Sequence, residues 1–307
     1  MDSIHSSRHR DTTGFFWILV FSAALNVVAQ PPQRSASVHP DFQGAWNSAT
    51  TIPLERPARL KDKPFYTPEQ AAQLQRKTQS ADEDPLSRLE TGSLMLPSLR
   101  TSLITDPPNG LLPSLTPAAA AAQRARVERL HNPTRATDMG LQDRCLVFPT
   151  SVAPMIPYRY NSNYQIVQTG DAVVVQSEMI HDARIIRLDR RSHLPSKVRQ
   201  WLGDSVGHWE GDTLVVDTTN FNDAGGFYGD AGGMYGWDRN MHVVERFSLL
   251  DANTILYRFE VEDPTAYTQP WKGELTMKRV SDPPYEYACH EGNEDLPNIL
   301  QLSGAQR

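Results

Sequence analysis

Only two of the 307 residues are cysteine, Cys145 and Cys289. So low a count excludes a disulfide-dense scaffold and a multi-cysteine zinc module. In an oxidising compartment the two would pair as one disulfide joining the middle of the chain to its end; two buried free thiols are the alternative. Positive charge is also scarce, with 30 Lys and Arg against 36 Asp and Glu, a net charge of -6. The chain therefore lacks the basic footprint that nucleic acid requires, and its acidic surface disfavours anionic lipid. A phosphate loop, a dinucleotide fingerprint and an H-E-x-x-H zinc helix are missing too, so the motifs call for no cofactor and no metal.

Long apolar runs are limited to one, residues 14–25, preceded by Arg8 and Arg10 and followed by Val27-Val28-Ala29. That is the layout of a secretory signal peptide over residues 1–29 cleaved after Ala29, with an uncleaved anchor as the alternative. A secreted or periplasmic protein is expected, free of the membrane after cleavage. With 39% hydrophobic and 21% charged residues, the remainder has the composition of a globular domain.

Residues 30–40 read as a polar linker, and residues 41–144 as a helical and irregular extension that wraps a core. Within it, residues 41–46 suit a first strand and residues 101–105 a short one. Thr67-Pro68-Glu69-Gln70 opens a helix to about residue 79, and Thr116-Pro117 opens another to about residue 130. From Cys145 to residue 302 the texture is β. Short apolar runs at 164–168, 172–179, 183–188, 213–218, 242–249, 254–261, 273–280 and 285–289 are separated by polar turns, with no helices between them. The pattern predicts a mainly β protein, an antiparallel meander that closes into a lipocalin-like barrel or folds into a sandwich.

Polar clusters interrupt this framework. Glu178, His181, Asp182 and Arg184 lie between two apolar runs, where a His flanked by carboxylates has the makings of a general acid or base. His290 and Glu291 follow Cys289. Residues 201–221 place Asp204, His208, Glu210 and Asp212 before a Val-rich strand, and Trp209 with Glu210 could face a sugar. Tyr158, Tyr160 and Asn161 could line a pocket, and Arg100 could hold an anionic or hydroxyl group.

Arg100-Thr-Ser-Leu-Ile-Thr-Asp-Pro-Pro108, the 178–188 segment, GDSVGHWEGDTLVVDT from Gly203, Glu245-Arg-Phe247 and Glu286-Tyr-Ala-Cys-His-Glu-Gly-Asn293 occur together here. In that combination the chain resembles a large family of secreted bacterial hypothetical proteins, from about residue 41 to 300. The resemblance implies export and a single folded unit and carries no mechanism. The chain departs from the family at Asp189-Arg-Arg-Ser-His193, where Asp-Gly-Arg is usual before the His, and at His208, where an Arg is usual.

The expected function is that of an exported hydrolase or lyase acting on a carbohydrate or other polar small molecule. His181 would be the base, oriented by Asp182 or Glu178, and His290 or Glu291 the acid. A non-catalytic ligand-binding barrel is the second expectation, and a metal enzyme with His181 and His290 as ligands the third.

Overall fold

The computed structural model describes residues 39–80, 96–158, 160–189, 192–222 and 239–305. The expected signal peptide, most of the linker and Arg190 lie outside them.

Ten strands form one sheet: β1 (Gly44–Asn47), β2 (Ile104–Asp106), β3 (Asn163–Gln168), β4 (Ala172–Ser177), β5 (Ala183–Arg187), β6 (Asp204–Glu210), β7 (Thr213–Thr219), β8 (His242–Asp251), β9 (Thr254–Glu262) and β10 (Trp271–Val280). All but β2 close into a ring, because β1 pairs with β3 on one side and with β10 on the other. The protein is a closed barrel and not a sandwich. Short β2 lies outside the ring, against β10.

Alternation sets which side chains enter the barrel. Val173, Val175 and Ser177 of β4, and Leu214, Val216 and Thr218 of β7, are buried in turn with every second residue. Trp46, Tyr164, Phe247, Tyr257, Phe259 and Trp271 fill the space between them in a continuous core. At Gly273 a Cβ would lie 2.3 Å from the Phe259 ring, so the aromatic packs directly on β10 backbone.

The two expected helices are present. α1 (Pro68–Ser80) opens with Thr67 Oγ1 accepting from the Gln70 amide and Gln70 Oε1 accepting from the Thr67 amide, a reciprocal cap. α2 (Pro117–His131) opens with Thr116 Oγ1 accepting from the Ala119 amide; it buries no residue, as its Ala and Arg composition suggests.

Several features differ from expectation. Residues 285–289 form no strand, because Pro283 and Pro284 precede them and the Tyr285 amide donates to the Glu178 carboxylate instead of to a ladder. Asp204–Glu210, expected as a polar stretch leading into the Val-rich strand, is itself a strand that joins β7 through a turn at Gly211. A third helix, α3 (Asp295–Ala305), ends the described chain. The β5–β6 pairing is parallel, in contrast to the antiparallel pairing elsewhere in the sheet. Lastly, residues 147–156 have no regular structure and are all buried. Their polar groups are satisfied inside: the Met155 amide donates to the Tyr257 hydroxyl at 3.0 Å, and Thr150 bonds Ser177 at 3.2 Å.

Cys145 and Cys289 form a disulfide. Among the described residues, no helix is long and apolar enough to cross a membrane.

Candidate functional site

An ion pair sits inside the barrel. Arg184 on β5, 3% exposed, donates through both terminal nitrogens to Glu245 on β8, at 2.7 and 2.8 Å, and Glu245 is fully buried. The Tyr257 hydroxyl donates to the same carboxylate at 2.7 Å, Thr218 reaches it at 3.5 Å, and Ser205 bonds Thr218 at 2.9 Å. Burial works against the Arg184 charge, but Glu245 more than offsets it and leaves the guanidinium pKa raised. Burial, and then the Glu245 charge, push the Tyr257 hydroxyl well above its ordinary value. The result is a charged, proton-retaining cluster sealed in an otherwise apolar interior. One donor is left over: Arg184 Nε is buried without a hydrogen-bond partner.

The barrel wall is thinnest on one side of β5. β5 and β6 meet at two residue pairs only, Ile186 with Ser205 and Arg187 with Val206. A cleft of about 640 Å³ opens there, lined by Arg184, Arg187, Leu194, Arg199, Trp201 and Asp204 among others. Its volume is in the range of small-molecule sites. Arg199 Nη1 donates to the Phe221 and Arg239 carbonyls, and its Nε too is buried without a partner.

The segment that forms the outer wall of the cleft is held by a row of titratable groups on the outward faces of β6, β7 and β8. Arg187 donates to both oxygens of Asp204, His193 touches Asp204 through Nδ1 and Asp217 through Nε2, both at 2.9 Å, and His242 touches the other Asp217 oxygen at 2.9 Å. A doubly protonated His193 donates to both carboxylates, whereas a neutral ring meets one of them with a lone pair. Burial raises the Asp217 pKa, but hydrogen bonds from His242 and His193 outweigh it and the net shift is downward. The His242 pKa is raised, first by its hydrogen bond to Asp217, with Glu262 and Glu260 adding to the effect.

These shifts set the pH window of the Asp217–His242 contact. A carboxylate with a lowered folded pKa contributes stability above its unfolded value of 3.8, lost as pH falls through the lowered value. An imidazole with a raised folded pKa contributes stability below 6.5, lost as pH rises through the raised value. Stability should therefore be greatest in mild acid, between those limits, and decline above them. A His242→Gln variant should flatten the alkaline decline in a series of urea midpoints against pH. An equally steep decline in the variant would show that the Asp217–His242 pair does not set the alkaline loss of stability.

The sequence-derived candidates fall in separate places. Arg184 belongs to the barrel interior. Glu178 is buried, accepts from Asn163 Nδ2 and from the Tyr285 amide, and so ties the chain end to β3. His181 is exposed and its ring contacts Gln176 at 3.3 Å. Asp182 is half-buried, with Oδ2 lacking a partner and a pKa raised by burial against the opposing pull of His181. His290 borders a second hollow of about 360 Å³ with Asp143, Arg144 and Asn293, and Glu291 is exposed. No hydrogen bond or ion pair joins His181 to His290 or to Glu291, and the described residues contain no group of three or more metal-ligating side chains. Tyr158 packs edge-on against Phe148 and Tyr160, with Asn161 beside them in a left-handed backbone conformation. Arg100 pairs with Glu274 at 3.7 Å and lies over Phe65. Trp209 stacks on His39 and Phe42, and Glu210 faces His208 and Arg246 on the surface.

Sequence reasoning missed Glu245 and Tyr257 as partners of Arg184, and His193, Asp217 and His242 as a row. It also missed that Gly203-Asp-Ser-Val-Gly207 has the G-x-S-x-G spacing of a nucleophile elbow. An elbow needs an exposed serine on a strand-to-helix turn; Ser205 is 2% exposed, lies within β6 and bonds Thr218 rather than a histidine.

Fold and site together define a closed β-barrel with an ionic interior cluster and a lateral cleft. No protein-family model matches the chain, and no curated protein does. Among solved structures it is similar to a mutant of the fluorescent protein UnaG, at 15% identity over 39% of this chain and 72% of that one, with a TM-score of 0.25. A likeness that slight carries no argument, and the barrel rests on its own strand pairing.

Proposed function

We propose that the protein is an exported small-molecule-binding barrel whose ligand occupies the cleft between β5 and β6. One observation carries the reading: where β5 and β6 share only two residue pairs, a cleft of ligand size is open and lined by Trp201, Leu194 and Arg199 among others. Export is supported by the residue 1–29 pattern, by the disulfide and by the resemblance to secreted bacterial proteins. A hydrolase or lyase built on His181 with His290 or Glu291 finds less support, since His181 is exposed beside Gln176 and His290 borders a separate hollow.

Trp201 lines the cleft and provides the test. The neutral fluorophore N-phenyl-1-naphthylamine should bind saturably at one site, and Trp201→Ala should weaken it by about tenfold, the usual scale for removing an aromatic anchor. Unsaturable binding, or binding indifferent to Trp201→Ala, would remove the cleft as the site.

A further inference from the structure

We infer that the ligand of this cleft is a monoanion with an apolar body, its charged group received by Arg199. The inference rests on the binding reading above and specifies its ligand.

Charge points to an anion. The whole chain carries a net charge of -6, yet among the described residues the cleft is lined by three arginines, Arg184, Arg187 and Arg199, against a single carboxylate, Asp204. Two of the three are already neutralised, Arg184 by Glu245 and Arg187 by Asp204. Asp204 is itself saturated, since it also accepts from the Leu194 amide and contacts His193, so it has nothing to offer a ligand's donor. Arg199 differs from the other two. Its hydrogen bonds go to backbone carbonyls, which fix the guanidinium without cancelling its charge, and its Nε stays unpaired. A positioned, partly buried guanidinium with no carboxylate partner among the described residues is what a carboxylate or sulfonate requires.

The rest of the lining limits the remainder of the ligand. With one uncompensated cation the cleft suits a single negative charge rather than a di- or polyphosphate, which draws on several cations. Ile185, Leu194, Trp201 and Leu202 line the same space. Ile185 is 59% and Leu194 37% exposed, so an apolar body seated in the opening would cover aliphatic surface that water now meets. A free carbohydrate, rich in hydroxyls and without charge, matches neither half of this lining.

A matched pair of probes tests this on the full mature protein. 1-Anilinonaphthalene-8-sulfonate and N-phenyl-1-naphthylamine share an aromatic body and differ in the sulfonate. The anion should bind at least about tenfold more tightly, the scale of one charge-assisted contact. Arg199→Gln should bring the ratio of the two affinities towards one, and Arg199→Lys should restore part of it. Raising salt should weaken the anion selectively. Equal affinities in the wild type, or a ratio that Arg199→Gln leaves intact while the neutral probe still binds, would overturn the inference and leave the cleft reading standing. Failure of both probes to bind the folded protein would overturn both.

Discussion

Replacing Glu245 by Leu should cost about 3–5 kcal/mol of stability, among the largest effects a single substitution can have in this protein. Glu245 is fully buried, and three groups depend on it: both terminal nitrogens of Arg184 and the Tyr257 hydroxyl. A leucine would leave the Arg184 charge inside the barrel with no counter-ion and the Tyr257 hydroxyl with no acceptor. Urea unfolding followed by tryptophan fluorescence would measure the loss. The double variant Arg184→Met/Glu245→Leu should recover most of it, because removing both charges also removes their desolvation cost, and the cycle isolates the coupling. A single variant within about 1 kcal/mol of wild type would mean that water reaches the cluster and screens it. The double variant also separates stability from binding: restored stability without probe binding would show that the cluster serves the cleft rather than the fold.

The parts of this architecture that were legible in the sequence are those written in local patterns. The Val-rich apolar runs AVVVQS and TLVVDTT predicted β4 and β7, and Thr-Pro pairs located the starts of α1 and α2 to within a residue. β6 was obscured because DSVGHWE places Asp204, His208 and Glu210 on its outward face and Gly207 on its inward one. The glycine is there for packing, since a Cβ would stand 2.7 Å from Ile186 Cγ2, although in a sequence it reads as a turn. The site was hidden for a different reason. Arg184 was singled out, but beside its neighbours Asp182 and Glu178, whereas its partner Glu245 is 61 residues away. His193, Asp217 and His242 likewise come from three separate segments, and only the strand register brings them into one row. Pairing across a barrel leaves no trace in spacing, so a reading of local clusters finds candidate residues and assigns them the wrong partners.

The disulfide should give the second large effect. Cys145 and Cys289 are 144 residues apart, and in the chain-entropy model closing a loop of that length restricts the unfolded chain by about 5 kcal/mol, of which about 2–4 is commonly realised. Position makes the bond count further. It joins the residue just before the buried 147–156 segment to the irregular stretch after β10, whose other ties include the Tyr285 amide to Glu178 and Asn293 Nδ2 to the Asp143 carbonyl. Cys145→Ser/Cys289→Ser should therefore lower the urea midpoint substantially and raise the dependence on denaturant, because the uncrosslinked chain unfolds to a more open ensemble. The opposing outcome is a local one, an unchanged midpoint with only residues beyond 280 becoming sensitive to protease. It would mean that the bond merely fastens a tail, and that the 147–156 segment stays in the barrel through its own contacts, chiefly Met155 with Tyr257 and Thr150 with Ser177. A full global loss would instead make an oxidising compartment a condition of stable folding, tying the proposed export of this protein to the physics of its barrel.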